Sequence, residues 1–232
     1  MSDIAAAFGQ AIHLLATGEA AVWQIVARSL FVSGLSVAIG CLIGIPIGAA
    51  VGLRRFRGRR LAVAGLNLGL GLPPVVVGLF VYLLLSRSGP LGFMRLLYTP
   101  SAMIVAQTIL AAPVIGALTF SSLAGLDPVA RLTALSLGAT SRQATLTLLT
   151  EARYGLGAAV IAGFGAVISE VGAVMMVGGN IAGATRVMTT AIMLETGKGD
   201  FQLAIALGLI LLAIALLVNV GLGYLQMDTD GS

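Results

Sequence analysis

Charge is what this chain has least of. Only 9% of its 232 residues are Asp, Glu, Lys or Arg, against about 25% in a soluble domain. With a mean hydropathy of +1.05, the chain cannot cover itself with water-facing side chains, so lipid must be its solvent. There is one cysteine, Cys41, inside an apolar run; it excludes an internal disulfide or a cysteine-based metal site and reads as core filler. The one histidine, His13, builds no metal site alone, and the Met175-Met176 pair reads as flexible gap filling. Aromatics make up 6% of the chain. That leaves few rings to stack bases, so the net charge of +4 does not indicate a nucleic-acid partner. No Ser/His/Asp, Cys/His or paired-carboxylate constellation occurs, which leaves no catalytic site. No G-x-x-x-x-G-K-[ST] loop is present; Gly65, Gly69 and Gly71 precede a proline pair and read as packing glycines.

What the chain does have is long charge-free runs. Residues 29–53, 61–86, 96–126 and 201–227 contain no charged side chain, and a further run between Arg153 and Arg186 is interrupted by Glu170. Each exceeds the ~20 residues needed to cross the hydrocarbon as a helix. Strand-type alternation is absent, which argues against a barrel. The expected fold class is an all-α integral membrane protein with about five transmembrane helices, near 26–53, 61–85, 100–123, 155–178 and 202–225. These make one transmembrane domain, 24–226. Before it lies an N-terminal interfacial segment, 1–23, with the apolar stretch 4–16 on the outer leaflet and Trp23 as an anchor. After it comes a short cytoplasmic tail, 227–232.

The charges that remain orient the chain. Five of the thirteen basic residues, Arg54, Arg55, Arg57, Arg59 and Arg60, fall within seven positions. By the positive-inside rule this loop is cytoplasmic. The connection 124–154 is then also inside, with Arg131, Arg142 and Arg153. The N-terminus and the loops 86–99 and 179–200 lie outside, and the C-terminus inside. Arg28, at the outer end of the first span, dissents mildly.

Within the spans, Pro73 and Pro74 remove backbone hydrogen bonds and kink their helix, which a membrane tolerates where the freed carbonyls face protein or a cavity. They are candidates for the lining of a translocation path. Glu170 is the acid expected within a span, some ~22 Å along a helix from Gly155. A carboxylate would repel an anion, so its expected role is structural, paired with Arg186 or with backbone amides. Asn180, Thr185, Arg186 and the amides of Gly178 and Gly179 gather donors in one short stretch. An anionic ligand with only acceptor oxygens would need such donors; a satisfied loop, or contact with a partner protein, are the alternatives. In the first span Gly34, Gly40, Gly44 and Gly48 offer a close-packing face, read as suited to a second copy of the chain.

The connection reads DPVARLTALSLGATSRQATLTLLTEARYG over residues 127–155. Asp127-Pro128 starts a helix, Gly138 breaks it, and a second begins near Ser141. The result is a rigid knob or an ordinary amphipathic connector. Its core resembles the cytoplasmic coupling loop of ABC-importer permeases, whose pattern is Glu-Ala-Ala, three residues, Gly, nine residues, Ile-x-Leu-Pro. Gly138 takes the glycine position, Ala134 the second alanine and Leu148 the isoleucine. Leu132, Thr133 and Glu151 stand where the pattern has Glu, the first Ala and Pro. Residues 72–92 resemble molybdate and tungstate permeases, and residues 168–201, with Gly-Gly-Asn-Ile and a following Thr-Arg, resemble the tungstate-type branch. The resemblance covers residues 20–225.

That resemblance implies a type I ABC-importer permease fold and a non-enzymatic transporter subunit. Ala134, Leu135, Gly138, Ala139 and Leu148 would form the ATPase-coupling loop. Two copies of the chain would dock two cytoplasmic ATPase subunits, which carry the ATP and Mg, and one extracytoplasmic oxyanion-binding protein. The chain itself would hold no cofactor and no metal, and would sit in the inner membrane of a prokaryote. From the residues alone, an ion-gradient-driven secondary carrier and a structural membrane scaffold also stand. The Gly138 knob discriminates, since neither needs it.

Overall fold

The computed structural model describes residues 9, 12, 13, 18–54 and 56–227. Most of the N-terminal segment, Arg55 and the tail beyond Met227 lie outside the described residues. Every regular element among the described residues is helical. In chain order these are α1 (Ala20–Leu53), α2 (Arg59–Leu70), α3 (Pro74–Leu85), a 3-10 turn (Gly92–Met94), α4 (Pro100–Ala124), α5 (Pro128–Ser136), α6 (Ser141–Glu151), α7 (Arg153–Ile168), α8 (Gly172–Gly178), α9 (Met188–Lys198) and α10 (Phe201–Met227).

Among the described residues, three helices are long and apolar enough to cross a membrane: Ala20–Leu53, Pro100–Ala124 and Phe201–Gly221. The number rises to five if each of two broken helix pairs counts as one span. The bent pairs are α2 with α3 and α6 with α7, and two of the expected spans are interrupted. The second is divided at Gly71–Pro73, where Pro74 takes the first turn of α3; a proline is tolerated there because that N–H has no intrahelical partner. The fourth, expected to be continuous over 155–178, stops at Ile168 and resumes at Gly172. Glu170 therefore lies in an interruption and not along a helix. The outer loop expected at 179–200 contains α9, whose Met188, Thr189, Thr190, Ala191 and Glu195 are buried.

The chain divides into two compact units. The first takes the described residues through Ser36, with Pro73–Gln107 and Gly165–Val218. Its core includes Val22, Val32, Met103, Val174, Val177 and Met188, all essentially inaccessible. Here α3 and α8 meet backbone to backbone: a Cβ on Gly78 would lie 2.7 Å from the Ala173 Cα. Ser29 Oγ, on α1, accepts from the Met188 amide at 2.7 Å, and Gln107 Nε2 donates to the Val167 carbonyl at 2.9 Å. A buried amide left unpaired in so apolar a setting would cost several kcal/mol, so these bonds fix where the segments can sit.

The second unit takes Val37–Leu72, Thr108–Phe164 and the described residues from Asn219. It reassigns the glycines of α1. A Cβ on Gly44 would lie 2.5 Å from the Ala112 carbonyl oxygen, one on Gly48 2.8 Å from Thr119 Cβ, and one on Gly40 3.1 Å from Ala111 Cβ, all on α4. This small-residue face is spent inside the chain, so it is not the surface for a second copy; Gly34 has no neighbour within 4 Å. A Gly44→Val substitution should cost about 2 kcal/mol or more, because the facing atom is backbone and cannot yield. Thermal unfolding in detergent checks this, with Gly34→Val as the tolerated control. Gly69 likewise faces the Pro113 ring.

Candidate functional site

Two places gather the residues singled out by sequence, one in each unit. In the second unit, α5 begins at Asp127, whose Oδ1 accepts from the Val129 amide at 2.8 Å, an N-cap that satisfies an otherwise orphaned N–H. It ends at Gly138 with φ near 90°. The Ala139 amide donates to the Ala134 carbonyl at 3.1 Å and the Gly138 amide to the Leu135 carbonyl at 3.0 Å. This pair of bonds is the Schellman ending of a helix, which needs a left-handed residue at the glycine position. The expected coupling residues Ala134, Leu135, Gly138 and Ala139 are therefore the four members of one helix stop. Next, Thr140 caps α6: its Oγ1 accepts from the Gln143 amide at 3.3 Å, while Gln143 Oε1 accepts from the Thr140 amide at 2.8 Å.

The two helices therefore form a short, internally satisfied knob. Leu137 is 84% exposed at its tip, and Val129, Leu132 and Leu146 are exposed beside it. Leu148 behaves differently. It is buried with Ala49, Leu123 and Ala152, so it anchors the knob to the membrane helices.

In the first unit, residues 178–187 form a tight turn between α8 and α9. Gly179 (φ 70°) ends α8, and its Cβ, if present, would strike the Tyr98 ring. The Tyr98 amide donates to the Val177 carbonyl at 2.9 Å. Its phenol is held above the usual value, first by its hydrogen bond with Tyr82. Asn180 also has positive φ, 50°. Its Nδ2 donates to the Thr190 carbonyl at 3.3 Å, and its Oδ1 accepts from Arg186 Nε at 3.3 Å. Thr185 is fully buried; its hydroxyl donates to the Gly178 carbonyl and accepts from the Ile181 amide at 2.9 Å.

Asn180, Thr185 and Arg186 thus share one turn. Thr185's hydroxyl hydrogen and the Gly179 amide, which donates to Met175, are spent inside it, so neither serves as a donor to a ligand. Arg186, with its side chain 22% exposed, keeps donor capacity. Pro73, at the head of α3, belongs to the same unit.

Glu170 lies elsewhere in this unit. Its Oε1 accepts from the Ala173 amide at 2.9 Å and its carbonyl from the Thr189 hydroxyl at 2.8 Å. Arg186 is not paired with it: the guanidinium lies 3.9 Å from Glu195, which also holds Lys198 at 3.0 Å. Sequence reasoning missed Glu195 because it lies in a stretch read as an exposed loop. The visible signal was a Glu and Lys three residues apart after the apolar MTTAIML. It also missed Arg28, which donates to the carbonyls of Gly183 (2.8 Å) and Arg186 (3.3 Å) and clamps the turn to α1.

Among the described residues, no group of three or more His, Cys, Asp or Glu side chains could hold a metal. No family model matches the chain. Individual relatives do. The chain is 48% identical over 201 residues to a probable anion ABC transporter permease of Haloferax volcanii, covering 84% of this chain and 87% of the relative. It is 42% identical over 228 residues to a tungstate uptake system permease of Peptoclostridium acidaminophilum, covering 98% and 100%. Two solved structures share the fold. The chain of an ABC transporter involved in alginate import superposes with a TM-score of 0.73 at 18% identity, covering 96% of this chain and 84% of that one. The inward-facing MetNI methionine ABC transporter gives 0.72 at 20% identity, covering 88% and 94%. With an all-helical fold of membrane-spanning length and full-length identity at this level, the chain belongs to the family of ABC transporter permeases that includes these anion and tungstate uptake proteins.

Proposed function

We propose that this chain is the transmembrane subunit of an ATP-driven importer for a tetrahedral oxyanion, tungstate first and molybdate second. The observation that carries the substrate is the 42% identity, end to end, with the tungstate uptake permease. The chemistry agrees with it. The spans are nearly free of acids, and Arg186 presents a guanidinium fixed by Asn180 and Glu195. A tetrahedral dianion has acceptors alone and needs such a donor. Among the described residues no enclosed cage of donors surrounds Arg186, which suits a permease that receives its cargo from a separate binding protein and must release it. Selectivity between two oxyanions of like charge and geometry then lies mostly in that binding protein.

In this reading the chain sits in the cytoplasmic membrane of a prokaryote, with the 54–60 loop and the knob at the cytoplasmic face. Two copies form the pathway. Two ATPase subunits bind ATP and Mg and dock on the knobs, and a binding protein delivers cargo from outside. A secondary carrier is disfavoured because the half-buried Glu170 and the buried Glu195 are both engaged in structural contacts.

Deletion tests the proposal. Cells lacking the chain should lose high-affinity tungstate uptake, measured by elemental mass spectrometry at nanomolar supply, and keep most molybdate uptake. Unchanged uptake of both, with loss of an amino acid or sugar, would sink the substrate assignment and leave the transporter class standing.

A further inference from the structure

The second unit contains a cleft of about 860 Å³ that the coupling function does not explain. Arg54, Arg59 and Arg131 line it, with Asp127 as its acid and Leu53 and Leu123 among its apolar walls. These residues are far apart in sequence, and only the fold brings them together. Asp127 spends Oδ1 on the Val129 amide and makes no ion pair among the described residues. Arg59 is fixed by its Nε, which donates to the Val51 carbonyl at 2.8 Å, and by the Phe120 ring, 5.6 Å away. Arg131 is the telling member: its Nε is buried without a hydrogen-bond partner. A buried charged donor left unpaired is costly. Three guanidinium groups against one occupied carboxylate leave an uncompensated positive site.

Its depth says what would occupy it. Two membrane-length helices end at this cleft, α1 at Leu53 and α4 at Ala124, and residues from both ends line it. The leucine walls therefore belong to the hydrocarbon edge and the arginines to the headgroup level. The volume far exceeds the ~30 Å³ share of one water. We infer that this cleft binds the headgroup of an anionic phospholipid, its phosphate on Arg54, Arg59 and Arg131 and the start of its acyl chains on the leucines. Basic pockets between transmembrane helices suit such headgroups. The bound lipid supplies the acceptor that Arg131 lacks and braces the root of the knob, since Leu148 lines the same cleft.

The test uses the full permease–ATPase complex in nanodiscs of phosphatidylcholine with or without phosphatidylglycerol, followed by release into detergent and native mass spectrometry. The wild-type complex should retain phosphatidylglycerol. The Arg54→Gln/Arg131→Gln pair should retain it about 10- to 30-fold more weakly, from roughly a three- to fivefold contribution per arginine. Arg57→Gln/Arg60→Gln removes equal charge beside Arg54 but outside this cleft, and should retain lipid like the wild type. Equal loss in both pairs would reduce the effect to surface charge and overturn the proposal. So would displacement of the lipid by tungstate or inorganic phosphate, which would make this a free-anion site. Failure of Arg54→Gln/Arg131→Gln to hold the ATPase in every lipid mixture would give the cleft to the ATPase instead. Equal melting temperatures in pure phosphatidylcholine would show that the variants are folded.

Discussion

Replacing Gly138 with leucine should separate ATP hydrolysis from transport while leaving the permease folded. The residue sits at φ near 90°, where an L side chain costs roughly 1–2 kcal/mol. No atom lies within 4 Å of where its Cβ would be, so the isolated chain has room for the side chain, and the strain stays at the end of α5. Two consequences follow at a docked ATPase. The helix stop loosens as the Ala139–Ala134 and Gly138–Leu135 bonds weaken, and a bulky group appears next to the exposed Leu137. A substitution series distinguishes the two. Asn tolerates the left-handed region and should keep most coupling; Ala should lose part through strain; Leu should lose nearly all. ATP consumed per oxyanion moved, in proteoliposomes containing the whole transporter, is the readout. A Gly138→Leu permease with the wild-type ratio would show that the knob does not couple.

Glu195→Gln is expected to be the most damaging single change in the first unit. The Glu195 side chain is 7% exposed and faces Arg186 at 3.9 Å and Lys198 at 3.0 Å. Removing one partner of a buried pair costs about 3–5 kcal/mol. Here about 2–3 kcal/mol is expected, since Arg186 keeps some solvent access and its bonds to Asn180. The two cations contribute unequally. Lys198 is 54% exposed, and an exposed pair contributes at most about 1 kcal/mol, so Lys198→Met should be nearly silent. Glu195→Gln should lower the melting temperature and release the Arg186 guanidinium, and oxyanion flux should fall with it. Equal stability for Glu195→Gln and Lys198→Met would mean that Arg186 is held by Asn180 alone.

These two residues were legible in the sequence to different degrees. Gly138 announced itself, because a glycine ending an apolar-periodic stretch after Asp-Pro is a local signal and its bonds close within six residues. The Thr140 cap and the helix start at Pro74 are equally local, yet the sequence was read as a helix from Ser141 and a kink at Pro73-Pro74. Leu148 shows where a motif match stops: the pattern gives it a position, and only the fold shows that it faces Ala49 and Leu123.

By itself, the sequence determined the membrane class and the helical content. Burial in lipid is a sum over consecutive residues, and a run of twenty apolar side chains has few other options. Tertiary structure alone decided which charges meet. Arg186 turned to Glu195 and not to Glu170, because the chain breaks at 169–171 and the Ala173 amide satisfies the Glu170 carboxylate first. The glycine face of α1 went to α4 for a similar reason: only a neighbouring helix at backbone distance can use it. The cleft of Arg54, Arg59 and Arg131 joins residues up to 77 positions apart, and a pairing over that separation has no local pattern to announce it.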